Sequence, residues 1–434
     1  MASSMQSTSS VLIRPARAVH GTLRLPGDKS ISHRYALLAA IAKGVSRLEN
    51  FSTGADCRST LSCLQALGVS VRADEQRVAT IEGNGRDLTA ASGPLDCGNS
   101  GSTMRMISGI LAAQSFASEL IGDDSLSRRP MRRVIEPLKA MGADIRATDG
   151  HAPLKISGKK LRGIEYRLPV ASAQVKTALL FAGLLAEGTT VIEEPLRTRD
   201  HGELALRAFG AEVNRSRNRA SIVGAQSLHG LDAFIPGDIS SAAFFVAAAA
   251  LFPESELVIE GLLLNPTRAA LLDVFTAMGV RISIPSVEAR HGELIGTIQI
   301  RGGTLKGATI SGALSASLID ELPVLAAIAP YTADGIEIRD ASELRVKESD
   351  RIAVVAQNLR AMGAEVEERE DGLTVRGGQP LHGAEIDSAG DHRIAMAFAV
   401  AALCAKGDTT IRGADAARIS FPEFFAALEA VVQR

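Results

Sequence analysis

An internal repeat constrains the fold of this 434-residue chain more than any other feature of its sequence. A short element recurs in which a helix ends at a glycine and a strand with alternating apolar residues follows. The glycine supplies the left-handed backbone conformation that lets a chain turn sharply out of a helix. One such copy can arise by chance, but five at near-even spacing indicate repeated structural units. The copies occupy residues 64–71, 138–145, 206–213, 275–282 and 359–366.

A second element alternates with the first. Each copy is a short polar motif that opens an Ala-rich helix, for example over residues 35–43, 242–251 and 394–406. A helix that is apolar on most of its faces must be buried, so these helices are predicted to lie inside the fold. The polar motifs are residues 28–30, 98–101, 172–174, 237–240, 320–321 and 391–393.

Together the two elements predict an α/β (α+β) fold of six βαβαββ units, with one buried and one outer helix in each. We expect two domains of three units, each an inside-out α/β barrel with its helices inside. One domain is predicted to span 1–26 plus 237–434 and the other 27–236, because the motifs near residues 26 and 236 resemble each other. The Pro26-Gly27 and Pro236-Gly237 pairs are the predicted hinges.

Composition excludes several classes of protein. The net charge of −2 and the 4% aromatic content argue against a nucleic-acid partner, and no apolar run is long enough to span a bilayer. Four cysteines without metal-ligand spacing fit reduced thiols in a cytoplasmic protein. Residues 1–10 lack a secretory layout and are predicted to be a flexible tail. No nucleotide-binding, hydrolase or metal motif is present, so we expect no cofactor and no metal.

The six polar motifs predict an anion receptor. A helix N-terminus presents unpaired N–H groups and a partial positive charge, so several such termini facing one cleft would bind anions. Arginine and lysine side chains at these helix starts would add the charge that phosphate and carboxylate groups prefer. They are Lys29, Arg34, Arg105, Arg351 and Arg393.

At these motifs the chain resembles the 5-enolpyruvylshikimate-3-phosphate (EPSP) synthase family, within the enolpyruvyl transferases. The resemblance runs from about residue 11 to the C-terminus, and nine motifs in the family's order make it specific. They are LPGDKSISHR (25–34), GNSGSTMR (98–105), SLSRRPM (125–131), ASAQVK (171–176), TRDHGE (198–203), LIDELP (318–323), LRVKESDR (344–351), GDHRIAM (390–396) and SFPEF (420–424).

The resemblance implies transfer of the enolpyruvyl group of phosphoenolpyruvate to the 5-hydroxyl of shikimate-3-phosphate, with release of phosphate, by a monomeric enzyme without a cofactor. The shikimate-3-phosphate residues that it implies are Lys29, Ser30, Arg34, Ser172, Ala173, Gln174, Arg199, Asp320 and Lys347. The implied phosphoenolpyruvate residues are Lys29, Asn99, Gly101, Arg129, Gln174, Arg351 and Arg393, with Arg105 beside them.

Asp320 and Glu348, with Lys29, are the implied catalytic residues. The acceptor hydroxyl must lose a proton while the methylene carbon of phosphoenolpyruvate gains one, and two carboxyl groups in different environments can exchange these roles. We assign Asp320 to the hydroxyl and Glu348 to the methylene carbon. The alternative is structural: Ser30, Ser172 and Asp320 could cap helices, and Lys347, Glu348, Asp350 and Arg351 could be solvated surface charges.

Departures from the commonest family pattern suggest the second class of these synthases, which includes glyphosate-tolerant enzymes. Ala173, Glu343 and Ile419 stand where many members carry Ser, Asn and Lys. Gly101, however, is the small residue of inhibitor-sensitive members.

The alternatives are a non-catalytic anion-binding protein and two related families. The transferase that modifies UDP-N-acetylglucosamine typically carries a cysteine on the loop before its second outer helix, and residues 122–129 contain none. An RNA 3'-phosphate cyclase-like protein would need a nucleotide pocket and a nucleophilic histidine, and the near-neutral charge argues against it.

Overall fold

The computed structural model describes residues 9–434 and divides into two compact units. The central unit consists of Pro26–Pro236 and Ala289–Glu293. The terminal unit consists of the described residues up to Leu25, together with Gly237–Glu288 and Leu294–Arg434. Of the predicted tail at residues 1–10, residues 1–8 lie outside the described part. Ser10 belongs to a strand, so the prediction is wrong at that residue.

Two strands at the start of the chain belong to the terminal unit, β1 (Ser10–Ile13) and β2 (Ala18–Arg24). The helices of the central unit then follow as α1 (Lys29–Ile41), α2 (Ala55–Ala66), α3 (Gly101–Leu111), α4 (Asp124–Ser127), α5 (Arg132–Ala140), α6 (Ala173–Leu185) and α7 (His201–Ala208). Its strands are β3 (Lys43–Glu49), β4 (Ser70–Ala73), β5 (Ala79–Asn84), β6 (Leu95–Asp96), β7 (Ala117–Ile121), β8 (Asp144–Thr148), β9 (His151–Ser157), β10 (Glu165–Arg167), β11 (Thr189–Glu193), β12 (Val213–Ser216), β13 (Arg219–Val223) and β14 (Asp232–Phe234).

Three four-stranded sheets surround the buried helices of the central unit. Their strand orders are β14-β3-β5-β4, β6-β7-β9-β8 and β10-β11-β13-β12. In each sheet the first two strands in this order are parallel and the other neighbours are antiparallel. The first repeat is completed by β14, the last strand of the unit. Helices α1, α3 and α6 are almost wholly buried along their length.

The rest of the terminal unit follows the same plan. Its helices are α8 (Ile239–Ala250), α9 (Ala270–Ala277), α10 (Ala313–Ser317), α11 (Leu322–Ile328), α12 (Arg351–Ala361), α13 (His392–Ala402) and α14 (Phe424–Val431), with 3-10 turns at Ala329–Tyr331, Ser342–Val346 and Ala414–Ile419. Its later strands are β15 (Glu256–Leu263), β16 (Arg281–Arg290), β17 (Glu293–Arg301), β18 (Ala308–Ile310), β19 (Ile336–Ile338), β20 (Val366–Arg369), β21 (Gly372–Val375), β22 (Glu385–Asp387), β23 (Thr409–Arg412) and β24 (Val432–Gln433).

Strands from the start of the chain complete two sheets of the terminal unit. The orders are β16-β17-β15-β2-β24, β18-β19-β21-β20 and β1-β23-β22. Strand β2 runs parallel to β15, while β1 runs antiparallel to β23. The last repeat thus takes β1, rather than a strand of its own, as the antiparallel neighbour of β23. Every residue of α8 and α13 is buried.

The five repeated glycines take the conformation that the sequence predicts. Their φ angles lie between 81° and 107°, in the left-handed region, directly after the outer helices. They are Gly68, Gly142, Gly210, Gly279 and Gly363. A residue with a side chain would be strained at each of these positions. The repeated sequence element therefore corresponds to a repeated backbone turn.

The predicted α/β fold is confirmed, with buried helices inside and mixed sheets outside. None of the six sheets within residues 9–434 closes on itself, so "barrel" describes only the way the sheets surround the helices. The buried helices begin several residues earlier than the hydrophobic pattern indicates, because polar residues form their first turns. None of the helices in residues 9–434 is long and apolar enough to cross a membrane.

Candidate functional site

The buried helices of the central unit begin at capped N-termini. Asp28 accepts a hydrogen bond from the backbone N–H of Ile31, and Ser100 and Ser172 cap α3 and α6 in the same way. Lys29, Gly101 and Ala173 are the first residues of these three helices. Capping satisfies only part of the first turn, so the remaining N–H groups and the helix dipole favour an anion there.

The alternative prediction, that these residues cap helices, is therefore correct for Ser172. It is wrong for Ser30 and Asp320, which do not cap a helix. Asp28 is the cap of α1, and the residue before α11 is Glu321, whose side chain makes no capping bond.

Arg34 joins the beginnings of α1 and α6. Its Nη1 donates to the carbonyl of Ser30 at 2.8 Å, and its Nη2 donates to the carbonyl of Ala173 at 3.3 Å and to Oγ1 of Thr177 at 3.0 Å. The side chain is buried, and burial lowers the pKa of Arg34 to about 10, with a further lowering from the nearby Arg199 guanidinium. Four predicted shikimate-3-phosphate residues, Ser30, Arg34, Ala173 and Arg199, therefore lie close together.

Lys29, at the start of α1, pairs with a carboxylate that the sequence did not single out. Its Nζ lies 3.0 Å from Oδ2 of Asp56, and both side chains are largely buried. This contact fixes the ammonium group beside the N-terminus of α1.

The segment of residues 98–105, called the α3 loop below, leads into α3 and carries Asn99, Gly101 and Arg105. Arg129, which follows α4, contacts this loop. Arg129 donates from Nη2 to Oδ1 of Asn99 at 2.7 Å and from Nη1 to its carbonyl at 3.2 Å. Arg105 donates to Oε1 of Gln174 at 2.7 Å, so this loop is tied to the start of α6. A Cβ added to Gly101 would lie 2.8 Å from Nη1 of Arg105. The glycine therefore leaves room for two guanidinium groups beside the helix start.

In the terminal unit, three carboxylates surround the guanidinium of Arg351, the first residue of α12. Its Nε donates to Oδ2 of Asp391 at 2.8 Å, and its Nη2 donates to Oε2 of Glu348 at 2.7 Å. Its Nη1 lies 3.6 Å from Oδ1 of Asp320. The Arg351 side chain is only 1% exposed, so the surface-charge interpretation of this residue is wrong. Both predicted acid–base carboxylates thus contact one buried cation.

The electrostatics of this cluster differ from those at Arg34. Burial alone would lower the pKa of Arg351, but the carboxylates of Asp391, Glu348 and Asp320 outweigh burial and raise it above its ordinary value. Arg351 therefore stays charged and holds the three carboxylates in place.

Lys347 and Arg393 border the same cluster. Nζ of Lys347 lies 3.6 Å from the Asp320 carboxylate that also faces Arg351. Arg393, on the first turn of α13, donates to the carbonyl of Ser240 at 3.4 Å and lies over the ring of Phe244. Asp391 caps α13 by accepting from the N–H of Arg393, so it links this helix to Arg351.

The structure thus forms two groups of the predicted residues. Around α1, α3 and α6 it brings together Lys29, Ser30, Arg34, Asn99, Gly101, Arg129, Ala173, Gln174 and Arg199, with Ser172 as a cap. Around α12 and α13 it brings together Asp320, Lys347, Glu348, Arg351 and Arg393.

Sequence reasoning missed three partners of these residues: Asp56, Thr177 and Asp391. Asp391 was noted only as a helix start, and its position directly before a buried helix is the one signal that marked it. Asp56 and Thr177 lie inside helices and carry no local signal, because only the packing of α1 against α2 and α6 brings them to Lys29 and Arg34.

His33 is a buried residue that is held by a hydrogen bond. Its Nδ1 lies 2.7 Å from Oγ1 of Thr60, which in turn lies 2.6 Å from Oγ1 of Thr103 on α3. Burial, together with the charges of Lys29 and Arg34, lowers the pKa of His33 well below its ordinary value. The ring is therefore neutral near pH 7.

Among residues 9–434, no group of three or more His, Cys, Asp or Glu side chains has the arrangement of a metal site. The acidic cluster around Asp391 is instead organised by the Arg351 cation.

Comparison with known proteins gives a consistent result. Residues 13–428 match the family model described as EPSP synthase (3-phosphoshikimate 1-carboxyvinyltransferase). A 3-phosphoshikimate 1-carboxyvinyltransferase of Koribacter versatilis is 62% identical over 98% of this chain and 100% of the relative, and one of Solibacter usitatus is 55% identical over 97% and 99%. Among solved structures, an EPSP synthase from Acinetobacter baumannii aligns with a TM-score of 0.87 and 41% identity over 98% of both chains. The family model and these relatives cover nearly the whole chain. The chain therefore belongs to the EPSP synthase family.

Proposed function

We propose that this protein transfers the enolpyruvyl group of phosphoenolpyruvate to the 5-hydroxyl of shikimate-3-phosphate and releases phosphate. The observation that carries the proposal is the contact of two carboxylates, Asp320 and Glu348, with the buried guanidinium of Arg351. One addition–elimination reaction needs a base and an acid in the same place, and this cluster holds both.

In the addition step, Asp320 takes the proton of the 5-hydroxyl as its oxygen attacks C2 of phosphoenolpyruvate, and Glu348 gives a proton to C3. The product is a tetrahedral ketal phosphate. In the elimination step a carboxylate removes a proton from the new methyl group, the C–O bond to phosphate breaks, and the enolpyruvyl double bond forms. The different surroundings of the two carboxylates support this division, since Asp320 also lies near Lys347.

The remaining roles follow from charge and position. We propose that Arg34, Lys29, Ser30, Ser172, Ala173, Gln174, Arg199 and Lys347 bind shikimate-3-phosphate. We propose that Lys29, Asn99, Gly101, Gln174, Arg129, Arg351 and Arg393 bind phosphoenolpyruvate, where guanidinium groups can contact carboxylate and phosphate in a bidentate manner.

Several finer expectations remain proposals. Ala173, Glu343 and Ile419 support membership of the second class of these synthases. The Pro26-Gly27 and Pro236-Gly237 pairs stay the predicted hinges, and a cytoplasmic monomer stays the prediction for the whole protein.

A phosphate-release assay with purified protein tests the proposal. With phosphoenolpyruvate present, we expect phosphate release with shikimate-3-phosphate and none with UDP-N-acetylglucosamine. Release with the nucleotide sugar alone would contradict the proposal in favour of the other transferase family. The Glu348→Gln variant should lose roughly 10²- to 10⁴-fold in kcat, the range for loss of a general acid or base. An unchanged kcat would remove Glu348 from the mechanism.

A further inference from the structure

A buried ion-pair group lies below the start of α6 in the central unit. The Lys176 side chain is 0% exposed, and its Nζ lies 2.9 Å from Oε2 of Glu194 and 2.9 Å from Oε1 of Glu203. Lys176 lies on the first turns of α6, Glu194 directly follows β11, and Glu203 lies on α7. One ammonium group therefore joins three elements of the unit.

The two carboxylates differ in what else they hold. The other oxygen of Glu194, Oε1, accepts a hydrogen bond from the hydroxyl of Thr198. Its backbone is also fixed, because its N–H donates to the carbonyl of Asn218 at 2.8 Å. Glu203 also contacts Lys176, but it lies within α7, whose backbone is already held by helical hydrogen bonds.

Thr198 directly precedes Arg199 in a segment without regular secondary structure between β11 and α7. A side chain in such a segment keeps its position only if the surrounding groups hold it. The hydrogen bond from Thr198 to Glu194 therefore connects Lys176 to the backbone that carries Arg199.

A buried ion pair is weak support for stability, because removing both ions from water costs about as much as their attraction returns. In some proteins such a group instead fixes a particular geometry, and that is the role that the variants below test. Lys176 lies about one turn after Ala173 on α6. The first turn of α6 therefore carries predicted substrate residues and also anchors the segment that contains Arg199.

We propose that Glu194, held by Lys176, is a positioning residue for shikimate-3-phosphate: it fixes Thr198 and through it Arg199. Glu194 does not touch the substrate. The inference rests on the proposed function, in which Arg199 binds that substrate.

The test compares two variants that each remove one of the two carboxylates. Glu194→Gln and Glu203→Gln are both isosteric, and both act on buried side chains at the same distance from Lys176. Of the two carboxylates, only that of Glu194 contacts Thr198.

We expect Glu194→Gln to raise the KM for shikimate-3-phosphate roughly tenfold, the size of one lost charge-assisted contact, with the KM for phosphoenolpyruvate unchanged. Glu203→Gln removes a carboxylate that acts on Arg34 but does not contact Thr198, so its effect on the KM for shikimate-3-phosphate should be clearly smaller. Equal effects of the two variants on the KM for shikimate-3-phosphate would overturn the inference.

A double-mutant cycle tests whether Glu194 acts through Arg199. If it does, Glu194→Gln should add little to the effect of Arg199→Gln on the KM for shikimate-3-phosphate. Additive effects would mean that Glu194 acts by another route and would overturn the inference.

Thr198→Val removes only the hydroxyl contact and keeps the test possible if Glu194→Gln fails to fold. It should reproduce the selective rise in the KM for shikimate-3-phosphate, and an unchanged KM would overturn the inference. Failure of the proposed function is a separate result, because the unmodified protein would then release no phosphate with shikimate-3-phosphate.

Discussion

Two buried arginines, one in each unit, show how differently the same side chain can be used. Arg34 in the central unit is held by a hydroxyl and two backbone carbonyl oxygens. Arg351 in the terminal unit is surrounded by the carboxylates of Asp320, Glu348 and Asp391. Burial lowers the pKa of Arg34, whereas the carboxylates around Arg351 outweigh burial and raise its pKa.

The difference suggests that Arg34 serves substrate binding, whereas Arg351 holds the acid–base carboxylates. Neutral oxygens orient a guanidinium without cancelling its charge, so Arg34 can still attract a phosphate group. At Arg351 the charge is matched by carboxylates, two of which are the acid–base candidates. We therefore expect loss of Arg34 to weaken binding of the anionic substrate and loss of Arg351 to disrupt the terminal unit itself.

Replacing Arg351 should have the largest effect. Arg351→Met leaves the carboxylates of Asp320, Glu348 and Asp391 close together without the guanidinium that they share, so the free energy of unfolding should fall by about 3–5 kcal/mol. Denaturant unfolding measures this, with Arg360→Met on the same helix as the control. The Arg360 side chain is 49% exposed and lies 3.8 Å from a carboxylate of Glu368, so its loss should cost at most about 1 kcal/mol. Similar losses in the two variants would contradict the view that Arg351 organises the cluster.

Replacing Arg34 should cost less stability and more affinity. Arg34→Met leaves neutral hydrogen-bond acceptors behind, with the carboxylates of Asp28 and Glu203 acting only at longer range, so we expect a loss of about 1–3 kcal/mol in the free energy of unfolding. The KM for shikimate-3-phosphate should rise by roughly one to two orders of magnitude, as expected when a phosphate loses a charged hydrogen-bond donor. Steady-state kinetics with each substrate varied in turn would measure it. A rise confined to the KM for phosphoenolpyruvate would show that Arg34 serves the other substrate.

The pH dependence of stability tests the burial of His33 and its position beside Lys29 and Arg34. The folded-state pKa of His33 lies well below its ordinary value of 6.5, so the unfolded chain takes up a proton first as the pH falls. This contribution is fully present above pH 6.5 and is lost below it, by up to about 1.4 kcal/mol per pH unit.

Unfolding measured between pH 6.5 and 5 for the unmodified protein and for His33→Gln isolates this contribution. The variant should lose stability less steeply on acidification. Parallel curves would mean that folding does not lower the pKa of His33, which would contradict its burial beside Lys29 and Arg34. Lys29→Met should raise the pKa of His33, because one of the neighbouring charges is gone.

The smallest effect is expected at Gly101. In Gly101→Ala the new Cβ would lie 2.8 Å from Nη1 of Arg105, the end of a flexible side chain, so Arg105 must move and its bond to Gln174 weakens. We expect a change in the free energy of unfolding of about 1 kcal/mol or less and a several-fold rise in the KM for phosphoenolpyruvate. A KM effect as large as that of Arg34→Met on shikimate-3-phosphate would show that the α3 loop tolerates no adjustment.

The sequence contained most of the fold because the repeat carries its own geometry. The left-handed glycines and the Ala-rich helices were visible as local patterns, and the family that the motifs indicate is confirmed. The contacts around the charged residues were not visible. Asp391 reaches Arg351 from 40 positions away, and Thr177 reaches Arg34 from 143, so only packing reveals them. The sequence assigned residues 1–26 to the same domain as residues 237–434, but the pairing of β1 with β23 is visible only in the structure.

The placement of β1, β2 and β14 sets the order in which the protein can acquire its structure on the ribosome. The main segment of the central unit ends with β14, at Phe234, so its three sheets have all their strands once about half the chain has emerged. Two sheets of the terminal unit cannot be completed so early, because β1 and β2 are made first and their partners β23 and β24 are made last. In nascent chains the central unit should therefore fold while the terminal unit is still incomplete. Loss of the last few residues during synthesis would leave β2 without β24.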